Sequence, residues 1–357
     1  MWYQTPFTDL AHITYPVIQA PMAGGATPPE LVAVVSNGGG LGSLGAGYMS
    51  PQQIQGAIQS IRALTDRPFA VNIFIPEANA ADSAQIAASH TLLQPYREAL
   101  SIAAPPEAAV YTESFEEQMS IILAERVPIV SFTFGGLPSV WIERLKTIGT
   151  VIMGTATTVR EAMALEQAGV DVVVAQGSEA GGHRGTFLGP AEEALIGTMA
   201  LIPQIVDAVR VPVIAAGGIM DGRGLVAALV LGASGVQMGT AFLTCSESGV
   251  SSLHKAALRE NTEDMTMITR AFSGKAARGI RNRFSTELYP YEDQLPQYPV
   301  QNTLTQDIRK AASKQGRPEF MSLWAGQGLR LIQDRSAADL IDEIIAQGAT
   351  LRDRFTQ

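Results

Sequence analysis

The sequence predicts an α/β protein built as a (β/α)8 barrel, and three observations carry that expectation. Short apolar runs alternate with amphipathic helical stretches along most of the 357 residues, eight such runs occur, and glycine-rich segments fall where runs end and helices begin. Alternating units of this kind imply a parallel sheet with helices outside it. Eight of them favour a closed barrel over an open doubly wound sheet, which remains the alternative.

The candidate strands lie at 17–20, 40–44, 69–73, 128–132, 151–153, 171–176, 211–216 and 235–238, and helical patterns at 29–36, 52–64, 159–168 and 222–231 fall between them. Several strands, such as Asp171-Val172-Val173-Val174-Ala175, are β-branched and apolar throughout, as expected of strands buried on both faces. The stretch 76–125 is too long for one crossover and reads as a mainly helical insertion, leaving 1–75 and 126–250 for the barrel. Residues 251–330 read as a cap forming the substrate region. Helices are expected at 251–261 and 303–313, and 282–299 is rich in Pro and Tyr without periodicity. Residues 331–357 contain a last helix, 337–354, expected to pack back on the barrel.

Composition narrows the function. Hydrophobic residues make up 46%, charged residues 17% and glycines number 34, a profile of compact α/β enzymes. The net charge is −9 and no Lys/Arg stripe forms, which argues against nucleic acid or an anionic membrane surface as partner. A single cysteine, Cys245, excludes an intrachain disulfide and gives no sign of a cysteine-built metal site. The N-terminus lacks the pattern of a secretory signal, and no apolar run reaches the ~20 residues of a bilayer span, so a cytoplasmic location is expected.

In such a barrel the site forms from loops at the C-terminal ends of the strands. The sixth candidate strand runs into Gln176-Gly177-Ser178-Glu179-Ala180-Gly181-Gly182-His183-Arg184-Gly185. His183 is one of four histidines, and histidine titrates near neutrality, so it is the candidate acid or base. Arg184 beside it reads either as an attractor of anionic substrate or as a solvated surface side chain. Ala20-Pro21-Met22 after the first strand offers a small surface for a planar ligand, and Asn72 ends the third. Gly217 and Gly218 end the seventh strand, and Gln237-Met238-Gly239-Thr240 ends the eighth. Loops at these two positions form the usual phosphate site of the fold. A phosphate site with neutral amides at Asn72 and Gln176 suits flavin mononucleotide (FMN) better than a dinucleotide, since no G-x-G-x-x-G opens a helix with an acidic residue beyond it.

With these residues assembled, the chain resembles the class I nitronate monooxygenases, formerly called 2-nitropropane dioxygenases. The resemblance covers nearly the whole chain. It is carried by Ile18-Gln19-Ala20-Pro21-Met22, by the segments at 34–42, 68–72, 174–185, 215–224 and 235–242, and by tail pieces at 277–279, 282–284 and 324–328. It implies a TIM-barrel flavoenzyme that uses FMN and O2 to oxidise alkyl nitronates, such as propionate 3-nitronate, to carbonyl compounds and nitrite. Carried over by motif, Asn72, Gln176, Gly181, Gly218 and Gln237 to Thr240 hold the flavin. His183 faces the substrate, either as base toward a neutral nitroalkane or as a polar contact for the anion.

The chain departs from some relatives at Thr133, where they have histidine, and at Asn302 and Gln306, where they have tyrosine and lysine. A less basic and less aromatic pocket is therefore expected. Thr133, Ser273, Lys275 and Tyr298 are the candidate substrate contacts. The alternative activity is an FMN-dependent NAD(P)H:quinone or enoyl-thioester reductase on the same barrel, and the expected assembly is a monomer or homodimer.

Overall fold

A computed structural model describes residues 1–77, 82–103 and 113–355. The strands in chain order are β1 (Val17–Gln19), β2 (Gly42–Gly45), β3 (Phe69–Phe74), β4 (Ile129–Thr133), β5 (Val151–Ala156), β6 (Val172–Gln176), β7 (Gly182–His183), β8 (Val213–Ala216), β9 (Gly235–Met238), β10 (Thr266–Thr269) and β11 (Ala277–Ile280). Eight of them form one parallel sheet in the order β1-β9-β8-β6-β5-β4-β3-β2. The sheet closes where Leu41, just ahead of β2, bridges in parallel to Ile18 of β1. The architecture is the expected (β/α)8 barrel.

The register aligns the C-terminal strand ends. Gln19 stands beside Met238, Gly45 beside Asn72, Asn72 beside Ser131, and Gln176 beside Ala216. Residues far apart in sequence are thereby set on one rim.

Inside the barrel, Ile18, Leu41, Ala70, Ile129, Met153, Val172, Val174 and Ile214 form a packed cluster, with Phe7 and Ala11 of the helix Pro6–Ala11 added to it. The interior is therefore filled, and a ligand can only sit at the mouth. A second layer joins strands to outer helices through residues such as Val32, Ile58, Leu145, Leu165, Ile205 and Leu225. Polar caps start several helices: Ser50 accepts from the Gln53 N–H at 3.2 Å and Thr158 from the Glu161 N–H at 3.2 Å. The last helix, Ala337–Phe355, contacts the helices Gly222–Val230 and Pro29–Asn37 of the barrel.

Between β3 and β4, residues 78–81 and 104–112 lie outside the described residues. The helix Phe115–Ala124 packs beside the barrel helices Pro51–Leu64 and Ser139–Thr147. The helix Ser83–Ala99 goes elsewhere, because its Leu93 and Tyr96 join a separate core with Phe272, Phe284, Leu304, Ile308 and Phe320. The stretch expected as one helix at 303–313 is two, Val300–Leu304 and Gln306–Gln315. They meet at Thr305, whose hydroxyl lies against the carbonyls of Phe272 and Gln301. The aperiodic 282–299 stretch contains a short helix, Arg283–Leu288, capped by Asn282.

Candidate active site

The glycine-rich loop after β6 is tightly braced. The Gln176 amide accepts from the Gly185 N–H at 2.8 Å and donates to the His183 carbonyl at 3.0 Å. Gly182 and His183 form β7, which pairs antiparallel with Arg278 and Ala277 of β11, itself paired with β10. The loop is thus one edge of a three-stranded sheet, and local glycine content gave no sign of this because the partner strands lie about 90 residues away.

Neither expectation for Arg184 holds. It is 1% exposed, and its guanidinium donates to the carbonyls of Gly177, Gln176 and Ala194 at 2.6, 2.9 and 3.2 Å. Burial, and after it the charge of Arg278, lowers its pKa to about 10. Five donors in a rigid fork suit this task, and the side chain is scaffold for the loop, not a substrate lure.

His183 lies in an aromatic enclosure. Its Nε2 is 2.8 Å from Ser273 Oγ, and its ring centroid is 5.8 Å from Phe134, 6.1 Å from Tyr298 and 5.4 Å from Trp324. Burial, then the positive charges of Lys275 and Arg309, drives its pKa down to about 3, so the imidazole is neutral near pH 7. Lys275 sits over the Phe134 ring at 4.6 Å and pairs with Glu77. Tyr298 and Tyr48 hydrogen-bond one another; burial raises the Tyr298 pKa above the ordinary phenol range, while Tyr48, 38% exposed, stands at the rim. Arg309 donates to the Asn302 carbonyl at 2.7 Å and to its side-chain oxygen at 2.9 Å, while its buried Nε has no partner.

The enclosure also holds cations and rings away from the positions where the chain departs from its relatives. Lys275 and Arg309 supply cations, and Phe134, Tyr48 and Trp324 supply rings, none of them at the positions compared in the sequence. Gln306 is exposed, and Asn302 serves as an acceptor for Arg309. Thr133 ends β4 with its hydroxyl 3.5 Å from that of Thr155, on the barrel side of the same mouth. Tyr48 was legible in principle, since it follows β2 at a C-terminal strand end. Arg309 sits on a helix with no local signature.

At the end of β8, beside the β6 loop, Gly217 and Gly218 have φ of +113° and +72°, values that favour glycine. Ala20 donates its N–H to the Met238 carbonyl at 2.9 Å, which places the Ala20-Pro21-Met22 loop against the end of β9. A Cβ added to Gly239 would meet only Ala20 at 3.6 Å and Met22 at 3.9 Å. The backbone therefore faces the apolar Ala20 and Met22 side chains at ordinary contact distance. Gln237 is partly exposed there, and Thr240, 7% exposed, accepts from the Gly326 N–H at 2.9 Å and keeps its hydroxyl proton to donate. Asn72 is buried and donates to Ser131 at 2.9 Å. Gly181 has a packing reason of its own, because a Cβ there would lie 2.5 Å from the backbone of Ala325 and Gly326.

A closed parallel barrel with such a mouth defines a (β/α)8 enzyme whose chemistry lies at the C-terminal strand ends. A sequence model of the family described as nitronate monooxygenase matches residues 4–347, and the chain belongs to that family. It is therefore an oxidoreductase of a flavin-dependent family, acting on nitronates or nitroalkanes. A protein named probable nitronate monooxygenase from Staphylococcus aureus (strain JH9) is 49% identical over 348 residues, covering 97% of this chain and 98% of its own. The same name is borne by a Staphylococcus saprophyticus protein, 48% identical over 99% of this chain and 100% of its own. A solved nitroalkane oxidase from Streptomyces ansochromogenes is 40% identical with a TM-score of 0.92, covering 98% of this chain and 99% of its own. No helix among the described residues is long and apolar enough to cross a membrane.

Proposed function

We propose that the chain holds FMN across the ends of β1, β3, β8 and β9 and oxidises alkyl nitronates with O2 to carbonyl compounds and nitrite. The fit to a phosphorylated flavin rests on the left-handed Gly217 and Gly218 and on the apolar surface of Ala20 and Met22 facing Gly239. Ala20, Pro21, Met22, Asn72, Gly181, Gly217, Gly218, Gln237, Met238, Gly239 and Thr240 would border the group, with Gln176 holding the loop beside it. When bound, the flavin supplies the capacity to accept electrons from the substrate and pass them to O2.

One arrangement carries the choice of nitronate: a neutral histidine in an aromatic chamber with Arg309 nearby and Lys275, paired with Glu77, beside it. A group with a pKa of about 3 is a poor proton acceptor at neutral pH. A nitronate arrives already deprotonated, so it needs an anion-compatible chamber and no base. With Nε2 accepting from the Ser273 hydroxyl, the neutral His183 carries its proton on Nδ1 and donates that N–H to the anion, while Phe134, Tyr298 and Trp324 exclude water.

The test is anaerobic mixing of the flavin-loaded protein with propionate 3-nitronate or with reduced nicotinamide. Bleaching of the flavin by the nitronate supports the reading. Fast bleaching by nicotinamide with none by the nitronate overturns it in favour of a reductase. Release of the bound group and its mass distinguishes FMN from FAD. The Streptomyces relative's name gives neutral nitroalkanes a place as second substrates, and nitroethane run beside ethyl nitronate measures how far this chain accepts them.

A further inference from the structure

The segment at 324–328 crosses the mouth and touches both halves of the site. The Trp324 ring stands 5.4 Å from His183 and 5.5 Å, edge on, from Phe272, and its backbone bridges antiparallel to Gly279 at the edge of β11. Ala325 and Gly326 press against Gly181 so closely that no Cβ fits there. The Gly326 N–H donates to Thr240 at 2.9 Å and the Gln327 N–H to the Glu179 carbonyl at 3.0 Å. One short strap therefore joins the histidine wall to the end of β9.

The side chain that grips the start of this strap is His254. It stands on the helix Ser252–Glu260, capped by Ser251, and is 9% exposed. Its Nε2 lies 3.1 Å from the Trp324 carbonyl. A carbonyl only accepts, so Nε2 carries the proton and donates. Loss of that donor would leave a half-buried carbonyl unsatisfied next to the indole that walls His183, and the strap would have to shift to recover a partner.

We infer that His254 is a positioning residue, which through the Trp324 carbonyl holds the indole against His183 and keeps the strap seated on Thr240. The inference rests on the reading above only in taking His183 as part of the working site. Removing the donor moves the wall and not the chemistry, so kcat should fall while KM changes little.

The experiment compares His254→Leu with His254→Gln in the flavin-loaded enzyme. Glutamine can bring an amide N–H close to the place of Nε2; leucine cannot. Histidine-labelled NMR follows the His183 titration directly, and ethyl nitronate turnover follows kcat. In the leucine variant the His183 midpoint should move up toward its ordinary value and kcat should fall about tenfold, the scale of a small misplacement; glutamine should restore most of both. A leucine variant with lower Tm but wild-type His183 titration and kcat overturns the inference, as does a glutamine variant as impaired as leucine. Should leucine not fold, His254→Asn replaces it, since its amide is too short to reach the carbonyl. The His183 titration needs no nitronate chemistry, so failure of the proposed activity and failure of this inference are told apart.

Discussion

At the β8 and β9 side of the mouth, Gly217, Gly218, Gly239 and Thr240 stand on or next to their own strands. At the His183 side the walls arrive from far apart: Tyr48 after β2, Phe134 after β4, Ser273 and Lys275 ahead of β11, then Tyr298, Arg309 and Trp324. The first side takes its positions mainly from strand register, with the β6 loop packed on Gly217 and Gly218. The second needs the barrel, the residue 266–280 hairpin and the core around Phe272 and Phe284 all to be in place. The first is tied to the cap where Thr240 accepts from the Gly326 N–H, and the second is the side where specificity can drift without loss of the barrel.

The largest break in this comparison should come from Arg184, which ties the barrel loop to its surroundings. Arg184→Met removes the donors to three buried carbonyls and should cost about 3 kcal/mol or more in chemical denaturation. A stable variant with only a raised KM for nitronates would return the residue to substrate attraction. Gly217→Val should follow, because φ of +113° strains a β-branched residue by about 1–3 kcal/mol and the turn beside the cofactor distorts. The flavin retained on gel filtration should drop, with the β6 loop displaced as well, since a Cβ here meets Ala180 N at 3.1 Å and the Gly177 carbonyl at 3.2 Å.

His183→Asn probes the assembled side. It should keep the flavin and lose about 10- to 100-fold in kcat/KM on nitronates, the worth of a hydrogen bond to an anion. Loss confined to neutral nitroalkanes, with nitronates untouched, would make His183 a base after all. Acid stability probes both sides together. The pKa of His183 is lowered from 6.5 to about 3 and that of His254 from 6.5 to about 4, so in that window the unfolded chain binds protons that the folded chain does not. The stabilisation is complete above about pH 6.5 and is lost as pH falls toward those values. Melting curves from pH 7 to pH 4 should show this loss, and it should be shallower in His183→Asn.

The barrel was legible because burial on both faces writes continuous β-branched runs, and because positive-φ turns at strand ends are marked by glycine. The candidate cofactor positions were legible for the same reason: they adjoin the runs. His183 was legible as a rare titratable residue on a strand-end loop. Ser273, Lys275 and Tyr298 came from resemblance alone.

Sequence by itself determined the eight units, the rim to which His183 and the glycines belong, and the family. Only the tertiary structure decided that Arg184 is buried scaffold, that Gly181 is small because Ala325 and Gly326 press on it, and that Arg309, Tyr48 and Trp324 complete the chamber. The physical reason is range. Strand and turn preferences are set by neighbours within a few residues. The surroundings of a side chain are set by whatever the closed barrel brings opposite it, and here β7 meets β11 across about 90 residues of chain.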